Sequence, residues 1–79
     1  MKDITQQVIN ILTDELRLKS ESVTVDKHLK DDLGVESLDA LELLIALEDK
    51  FHVVYPADSH EHITTVQDVI DLTQKLLKQ

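Results

Sequence analysis

Apolar residues recur along the chain at intervals of three and four in three stretches, separated by polar or irregular segments. This spacing places them on one face of an α-helix. The first stretch predicts a helix from Asp3, with Gln6 in the capping-box position, to about Leu18. Its apolar stripe consists of Ile4, Val8, Ile11, Leu12 and Leu16. The last stretch predicts a helix capped by Thr65, with Asp68 in the capping-box position. Its buried face consists of Val66, Val69, Ile70, Thr73, Leu76 and Leu77.

The middle stretch predicts a helix from about Ser37 to about Phe51, and this helix carries two apolar stripes. The first stripe consists of Ala40, Leu43, Leu44, Leu47, Phe51 and Val54, the last of them at or beyond the helix end. The second stripe lies nearly opposite and consists of Leu38, Leu41 and Ile45, flanked by Glu42, Glu48 and Asp49. One stripe must face the core. The other is either covered by a further helix or exposed for a partner, and in so small a domain we expect exposure.

The connections between these helices complete the predicted fold. Residues 19–36 have no helical period, yet their apolar residues (Val23, Val25, Leu29 and Leu33) favour an ordered loop held against the core. Gly34 is able to adopt a positive φ and turn the chain into the second helix. After Tyr55 and Pro56, residues 57–62 favour one short helical turn. We therefore expect one domain over residues 1–79, an all-α four-helix bundle with three main helices, one short helix and a long ordered loop between helices 1 and 2.

Composition narrows the functional classes. The chain has 79 residues, 42% of them hydrophobic, and a formal net charge of −8. That charge disfavours nucleic acid and anionic lipid as partners, although it is also compatible with a role in solubility alone. No cysteine is present, which excludes disulfides and thiolate sites and is typical of a reducing compartment. No run approaches the roughly 20 apolar residues that a membrane span requires. We expect a cytoplasmic monomer.

Residues 31–49 hold the candidate chemistry. Seven carboxylates and no basic residue surround Ser37, at the predicted start of the second helix. A serine there is commonly only a helix cap. However, Gly34 gives access to the hydroxyl, and a helix N-terminus tolerates a phosphodiester. No histidine stands close in sequence to activate the hydroxyl, and the Gly-x-Ser-x-Gly elbow of hydrolases is absent. We therefore expect Ser37 to accept a covalent group rather than to act as the nucleophile of an enzyme.

The histidine pair at positions 60 and 62 is a weaker candidate. Residues two apart do not share a helix face, and no third ligand is evident. We expect solvated histidines on a short turn and no metal cofactor.

The sequence around Ser37 resembles a known family. Asp-Leu-Gly-Val-Glu-Ser-Leu-Asp at residues 32–39, Leu-Glu-Leu at 41–43 and Ala-Leu-Glu-Asp-Lys-Phe at 46–51 are similar to acyl carrier proteins of the fatty-acid-synthesis type. The similarity continues through Tyr55 and Pro56 and through Ile-Thr-Thr-Val-Gln at 63–67, and it covers essentially the whole chain. One departure is Glu36, where the family usually has aspartate. It places the choice of partner enzymes in question more than the attachment site.

The resemblance implies that Ser37 carries 4′-phosphopantetheine through a phosphodiester, installed by a phosphopantetheinyl transferase that uses coenzyme A and magnesium. The thiol of this group would hold acyl intermediates as thioesters for ketosynthases and other acyl-processing enzymes of fatty-acid, polyketide or lipid biosynthesis. The implied partner surface consists of Glu36, Leu38, Asp39, Leu41, Glu42, Ile45, Glu48 and Asp49. The implied lining of an acyl pocket consists of Leu44, Leu47 and Ile63. The alternative from the residues alone is an acidic helical interaction module without a prosthetic group.

Overall fold

A computed structural model describes residues 4–78. Three α-helices are present, α1 (Ile4–Leu16), α2 (Ser37–Phe51) and α3 (Val66–Leu77), and no strand is formed within these residues. The predicted all-α class is confirmed. The short fourth helix is a single 3-10 turn (Ser59–Glu61), and a second such turn (Ser20–Ser22) interrupts the long loop, where none was predicted. The predicted cap Asp3 lies outside the described residues.

Helix α1 ends two residues before its predicted end. Arg17 adopts a left-handed conformation with φ of 56°, and the Leu18 N–H donates to the Thr13 carbonyl at 3.1 Å. This bond, from the second residue past the helix end, is the Schellman arrangement. His52, at the end of α2, is also left-handed, with φ of 55°. Glycine normally occupies such positions. Because neither residue is a glycine, neither helix end is marked in the sequence.

The core lies between α1 and its two neighbours, because α1 packs against both α2 and α3. On its other side α2 contacts the 3-10 turn at Ser59–Glu61. Buried apolar residues come from all three helices and from the loops: Val8, Leu12, Val23, Leu29, Val35, Ala40, Leu43, Leu44, Leu47, Tyr55, Val66, Val69 and Ile70. The core is therefore aliphatic apart from Tyr55, as the composition predicts.

Three apolar residues expected in or near the core are exposed. Val54 lies beyond the turn at His52 and faces solvent. Leu77 was predicted on the buried face of α3, which is wrong, because the last fully buried residue of that helix is Thr73 and Leu77 lies one turn beyond it. The side chain of Val25 is also exposed, although its backbone helps to hold the loop in place.

The long loop is held by backbone hydrogen bonds to the segment that leads into α3. The Leu29 N–H donates to the Thr64 carbonyl at 2.9 Å, and the Val66 N–H donates to the Lys27 carbonyl at 3.1 Å. The Gln67 N–H donates to the Val25 carbonyl at 3.0 Å. The first N–H groups of a helix have no partner within the helix, so the loop satisfies two donors that α3 leaves open. The loop is thus an ordered part of the fold, as its apolar residues predict.

The predicted capping box of α3 is confirmed. The Asp68 N–H donates to the Thr65 hydroxyl oxygen at 3.2 Å, and the Asp68 carboxylate accepts from the Thr65 N–H at 3.0 Å. The same carboxylate also accepts from the Thr64 N–H at 2.9 Å. Together with the loop carbonyls, these bonds fix the start of α3 relative to residues 25–29.

A buried polar pair joins α3 to the segment after α2. The hydroxyl groups of Tyr55 and Thr73 lie 2.5 Å apart, and Thr73 donates its own proton to the Val69 carbonyl at 2.8 Å. Tyr55 must therefore be the donor between the two hydroxyls. Burial raises the pKa of the Tyr55 phenol, and the bond to Thr73 opposes that rise. Both hydroxyl protons of this buried pair are therefore hydrogen-bonded.

This pair predicts an asymmetry between two isosteric substitutions. Thr73→Val leaves the buried Tyr55 hydroxyl without its acceptor and should lower the free energy of unfolding by about 1–3 kcal/mol. Tyr55→Phe leaves the Thr73 hydroxyl bonded to Val69 and should cost less, about 0.5–1.5 kcal/mol. Urea denaturation followed by circular dichroism measures both values. Equal stability of Thr73→Val and the unsubstituted protein would contradict the assigned bond.

Candidate functional site

Ser37 is the first residue of α2, and its side chain is exposed. The N-cap position belongs to Glu36, whose backbone N–H donates to the Asp39 carboxylate at 3.2 Å. Within residues 4–78 the Ser37 hydroxyl makes no hydrogen bond to another protein group. The structure therefore places this serine one position past the cap, and its hydroxyl has no structural role.

The turn that presents Ser37 is built from a glycine and a buried valine. Gly34 has φ of +71°, as the sequence predicts, and a Cβ there would meet no atom within 4 Å. The glycine is thus needed for its backbone conformation and not for space. Next to it, Val35 is buried and its N–H donates to the Leu29 carbonyl at 2.7 Å. This anchor holds the chain two residues before Ser37 while the serine itself stays accessible.

A cavity of about 600 Å³ opens beside Ser37. Its walls come from three parts of the chain: the end of the long loop, the start of α2, and the segment from the second 3-10 turn to α3. The lining residues are His28, Leu29, Lys30, Asp31, Val35, Glu36, Ser37, Leu38, Ala40, His60, Ile63 and Thr64. Its lining combines apolar side chains with a polar part, the rim, which holds three basic residues together with the acids Asp31 and Glu36.

Sequence reasoning considered His60 only as a weak metal candidate, and it did not place His28, Lys30 and His60 together beside Ser37. They are brought together by the backbone pairing of residues 27–29 with 64–66, which no local pattern announces. Neither histidine is hydrogen-bonded to the Ser37 hydroxyl. Within residues 4–78, the one charge contact that any of the three makes joins His28 Nδ1 to the Asp31 carboxylate, at 3.9 Å. The arrangement does not form a nucleophile–base pair, for which hydrogen-bond contact is the usual geometry.

The predicted acyl-pocket residues are divided between this cavity and the core. Ile63 lines the cavity, whereas Leu44 and Leu47 are buried among the core side chains and do not line it. The structure thus brings only one of the three to the space beside Ser37.

The second apolar stripe of α2 is not covered by another helix. Leu38 is 66% exposed, Leu41 is 40% exposed and Ile45 is 56% exposed. These three side chains form an apolar strip that leads away from Ser37 along the helix. Such a strip on a small domain is typical of a surface that another protein contacts.

The carboxylates beside this strip fall into two groups. Asp39 accepts the Glu36 N–H, and Glu48 accepts the Tyr55 N–H at 2.8 Å, so both hold the ends of α2 in place. Glu42 and Asp49 have no such role. Among the described residues every ion pair involves a histidine, so no lysine or arginine neutralises either of them. Both groups present negative charge to a partner, but only the second group is free of structural hydrogen bonds.

A groove between α1 and α2 extends the acidic surface beyond α2. It has a volume of about 620 Å³, with Ile11, Ile45 and Ala46 on its apolar side. Its charged lining consists of Asp14, Glu15, Glu42, Asp49 and Lys50. Asp14 and Glu15 lie in the last turns of α1, and their contribution to this surface becomes visible only when the two helices are packed.

Other candidate ligands do not gather into a site. His62 is bonded to the Asp58 carboxylate at 3.0 Å, and this bond lowers the pKa of Asp58. In the part of the chain with described coordinates, no three histidine, aspartate or glutamate side chains are arranged to hold a metal ion. No helix in that part is long and apolar enough to cross a membrane.

Comparison with known proteins agrees with this geometry. The family model described as "Phosphopantetheine attachment site" matches residues 6–73. An acyl carrier protein of Amoebophilus asiaticus is 38% identical over 79 residues, which is 100% of this chain and 99% of that protein. The chain belongs to the acyl carrier protein family. A crystal structure of an acyl carrier protein from Thermotoga maritima superposes with a TM-score of 0.79 at 26% identity, covering 92% of this chain and 85% of that one.

Family membership settles the class of function. Acyl carrier proteins are carriers and not catalysts, and the phosphopantetheine-attachment family holds 4′-phosphopantetheine covalently. Members interact with a phosphopantetheinyl transferase and with acyl-processing enzymes. The resemblance inferred from residues 32–39 and 63–67 is thereby confirmed, and the reading as an interaction module without a prosthetic group gives way to it.

The division of the α2 carboxylates predicts different stability effects for the same charge reversal. Glu48→Lys removes the acceptor of the Tyr55 N–H and should lower the free energy of unfolding by about 1–2 kcal/mol. Glu42→Lys removes no bond and should change it by less than about 0.5 kcal/mol. Urea denaturation of both variants provides the test, with Glu48→Gln as the control that keeps an acceptor oxygen. A Glu48→Lys protein as stable as Glu42→Lys would contradict the structural role of Glu48.

Proposed function

We propose that Ser37 is the attachment point of 4′-phosphopantetheine, and that this acyl carrier protein presents acyl thioesters on that arm to fatty-acid or related biosynthetic enzymes. The observation that carries the proposal is an exposed hydroxyl with no hydrogen bond inside the protein, at the first residue of α2 and on the edge of a cavity of about 600 Å³. When bound, the group supplies the thiol on which acyl groups are held, and the chain itself has no cysteine.

The backbone around Ser37 suits an anionic diester. The N–H groups of Ser37 and Leu38 belong to the first turn of α2 and have no acceptor among residues 4–78. Free first-turn N–H groups and the positive end of the helix dipole favour phosphate oxygens. Lys30, on the rim of the same cavity, adds a positive charge and forms no ion pair with a carboxylate of residues 4–78. These features support the diester in an acidic neighbourhood.

The cavity also suits the rest of the arm. Its apolar side chains, Leu38, Ala40 and Ile63, offer contact to methyl and methylene groups, and its polar rim offers hydrogen bonds. The residues present therefore fit the group. The chain's part in carrying is to hold the attachment oxygen outside the core and to offer a shallow shelter next to it.

We further propose a docking surface, made of Leu38, Leu41 and Ile45 with Glu36, Asp39, Glu42, Glu48 and Asp49, for basic and apolar patches on the transferase, ketosynthases and other acyl-processing enzymes. Exposure of the apolar strip and the unpaired charges of Glu42 and Asp49 support it. The α1 acids Asp14 and Glu15 border the same groove and extend the field. Charges of this kind raise the encounter rate more than the affinity, which suits a carrier that must leave each enzyme. We also propose that the protein acts as a cytoplasmic monomer, which moves from one of these enzymes to the next.

We propose that Leu44 and Leu47 contact the acyl group only when the acyl chain is long. A chain that enters beside Ile63 would reach them after the core between α2 and its neighbours has opened, because both are buried in the closed structure. Short acyl groups have room in the cavity itself.

The attachment site is tested by intact mass after incubation with coenzyme A, magnesium and a broad-specificity phosphopantetheinyl transferase. The protein should gain one phosphopantetheinyl group. Ser37→Ala should gain none, because the accepting oxygen is gone. Ser22→Ala, which removes an exposed serine on the first 3-10 turn, is the matched control and should load normally. Loading of Ser37→Ala would show that another residue is the acceptor, and failure of the unsubstituted protein to load would favour an interaction module.

The docking surface is tested by a double charge reversal, Glu42→Lys with Asp49→Lys. Loss of the attracting charges should lower kcat/KM for acyl transfer by a ketosynthase roughly tenfold at low salt. The difference should shrink as salt screens the surface charges. The control, Glu21→Lys with Asp71→Lys, makes the same change in net charge at exposed residues outside the groove and outside α2. Equal rates for the two double variants at low salt would contradict the proposed surface.

A further inference from the structure

The groove between α1 and α2 has an apolar wall that no other part of residues 4–78 covers. Ile45 is 56% exposed at its edge, while Ile11 and Ala46 are half-buried in its lining. Ile45 is also the last residue of the apolar strip on α2, so the groove continues that strip toward α1. A volume of about 620 Å³ leaves room for a large side chain of another protein.

The acidic residues of this groove are placed against the stability of the fold. Asp14 and Glu15 lie in the last turn of α1, which holds no basic residue, and a negative charge there opposes the helix dipole. Glu42 and Asp49 of α2 line the same groove, and like charges repel one another. None of the four forms an ion pair with a lysine or arginine of residues 4–78. The protein thus holds four like charges together at a cost in folding free energy.

The charges of the groove indicate the chemistry of the partner. Lys50 is the one base among the described residues of the lining, and its place in the last turn of α2 is favourable to that helix. Four acids around an apolar wall match a protein segment with one large apolar side chain between lysines or arginines. A second copy of this chain does not match, because its own exposed apolar strip is bordered by carboxylates.

The position of the groove on α2 determines what a bound partner leaves uncovered. Ala46 follows Ser37 by nine residues, which is roughly 14 Å along the helix and places it on the opposite side of α2. The groove and the cavity beside Ser37 share no lining residue. A side chain seated in the groove therefore leaves the attachment serine and its cavity open.

We propose that an acyl-processing enzyme inserts one large apolar side chain, flanked by basic residues, into the groove between α1 and α2. The proposal rests on the docking surface proposed for α2 and extends it to α1. The four carboxylates repel one another in the free protein and gain favourable partners in the complex. Since the groove is separate from the cavity, this contact holds the carrier on the enzyme without engaging the arm.

The first test reverses the two α1 charges, with Asp14→Lys and Glu15→Lys in one protein. Removal of acids from the end of α1 should raise the urea midpoint of unfolding. Loss of the attracting charges should raise the Kd for a ketosynthase about tenfold at low salt, and the effect should shrink at higher salt. The control, Glu21→Lys with Asp71→Lys, has the same net charge outside the groove and should bind nearly as well as the unsubstituted protein.

The outcomes of this test separate the inference from the proposals on which it depends. A Kd equal to that of the control, or a urea midpoint that does not rise, would overturn the role of α1. If Glu42→Lys with Asp49→Lys still weakened binding, the docking surface on α2 would stand. If neither double variant weakened binding, that surface would be wrong as well. Loading of Ser37, measured by mass, tests the attachment site independently of both.

The second test concerns the inserted side chain and changes no charge. Ala46→Gln places a polar side chain in the groove and should raise the Kd roughly fivefold, because the inserted group loses apolar contact. Ala57→Gln, at an exposed position outside the groove, is the matched control. Circular dichroism establishes that both variants are folded.

The methyl groups of α1 report on the same insertion in the unsubstituted protein. Addition of the ketosynthase should shift the δ-methyl resonance of Ile11, which lines the groove, and should leave that of Ile9, which does not, nearly unchanged. No shift at Ile11, or equal Kd values for Ala46→Gln and Ala57→Gln, would overturn the proposed insertion.

Discussion

The backbone pairing of residues 25–29 with residues 64–67 is the constraint on which the rest of the structure depends. Its hydrogen bonds complete the first turn of α3 with carbonyl groups of the long loop, so neither segment is satisfied without the other. The pairing also brings His28 and Lys30 to the same cavity as His60 and Ile63. Because the Leu29 carbonyl in turn accepts the Val35 N–H, the same loop fixes the turn that carries Ser37. A connection between two helices thereby becomes the frame of the attachment site.

Electrostatics divide the surface of α2 into parts that stabilise the fold and parts that are available to partners. Asp39 and Glu48 each accept a backbone N–H, at opposite ends of the helix, and such charge-assisted bonds contribute to stability. Glu42 and Asp49 accept no such bond within residues 4–78 and form no ion pair there with a lysine or arginine, which maintains a negative field beside an apolar strip. A list of acidic residues in sequence treats the four alike. Their hydrogen bonds distinguish them. Charge reversal tests docking without removing a structural hydrogen bond only at Glu42 and Asp49.

The helices, the cap of α3 and the role of Gly34 could be predicted from sequence because each depends on residues close together in the chain. Apolar spacing, the Thr65–Asp68 pair and a lone glycine before a serine are local patterns with local causes. The early end of α1 at Arg17 could not be predicted, since a non-glycine residue in the left-handed region follows from tertiary packing. The basic residues of the cavity rim could not be predicted for a related reason. His28 and His60 are 32 positions apart and come together only through the loop pairing.

The closed core sets a limit on how this small carrier can shelter its cargo. The cavity beside Ser37 reaches Ile63 but stops short of Leu44 and Leu47, which are 4% and 0% exposed within the packed aliphatic core. Interiors are close-packed, so a long acyl chain cannot lie against these two leucines unless neighbouring side chains move aside. The aliphatic composition makes that movement less costly than it would be in a core of interlocked aromatic rings. Tyr55, the one fully buried aromatic residue within residues 4–78, is bonded to Thr73 and does not line the cavity. The fold thus combines a fixed attachment turn, set by backbone bonds, with a side-chain interior that has few directional bonds to break.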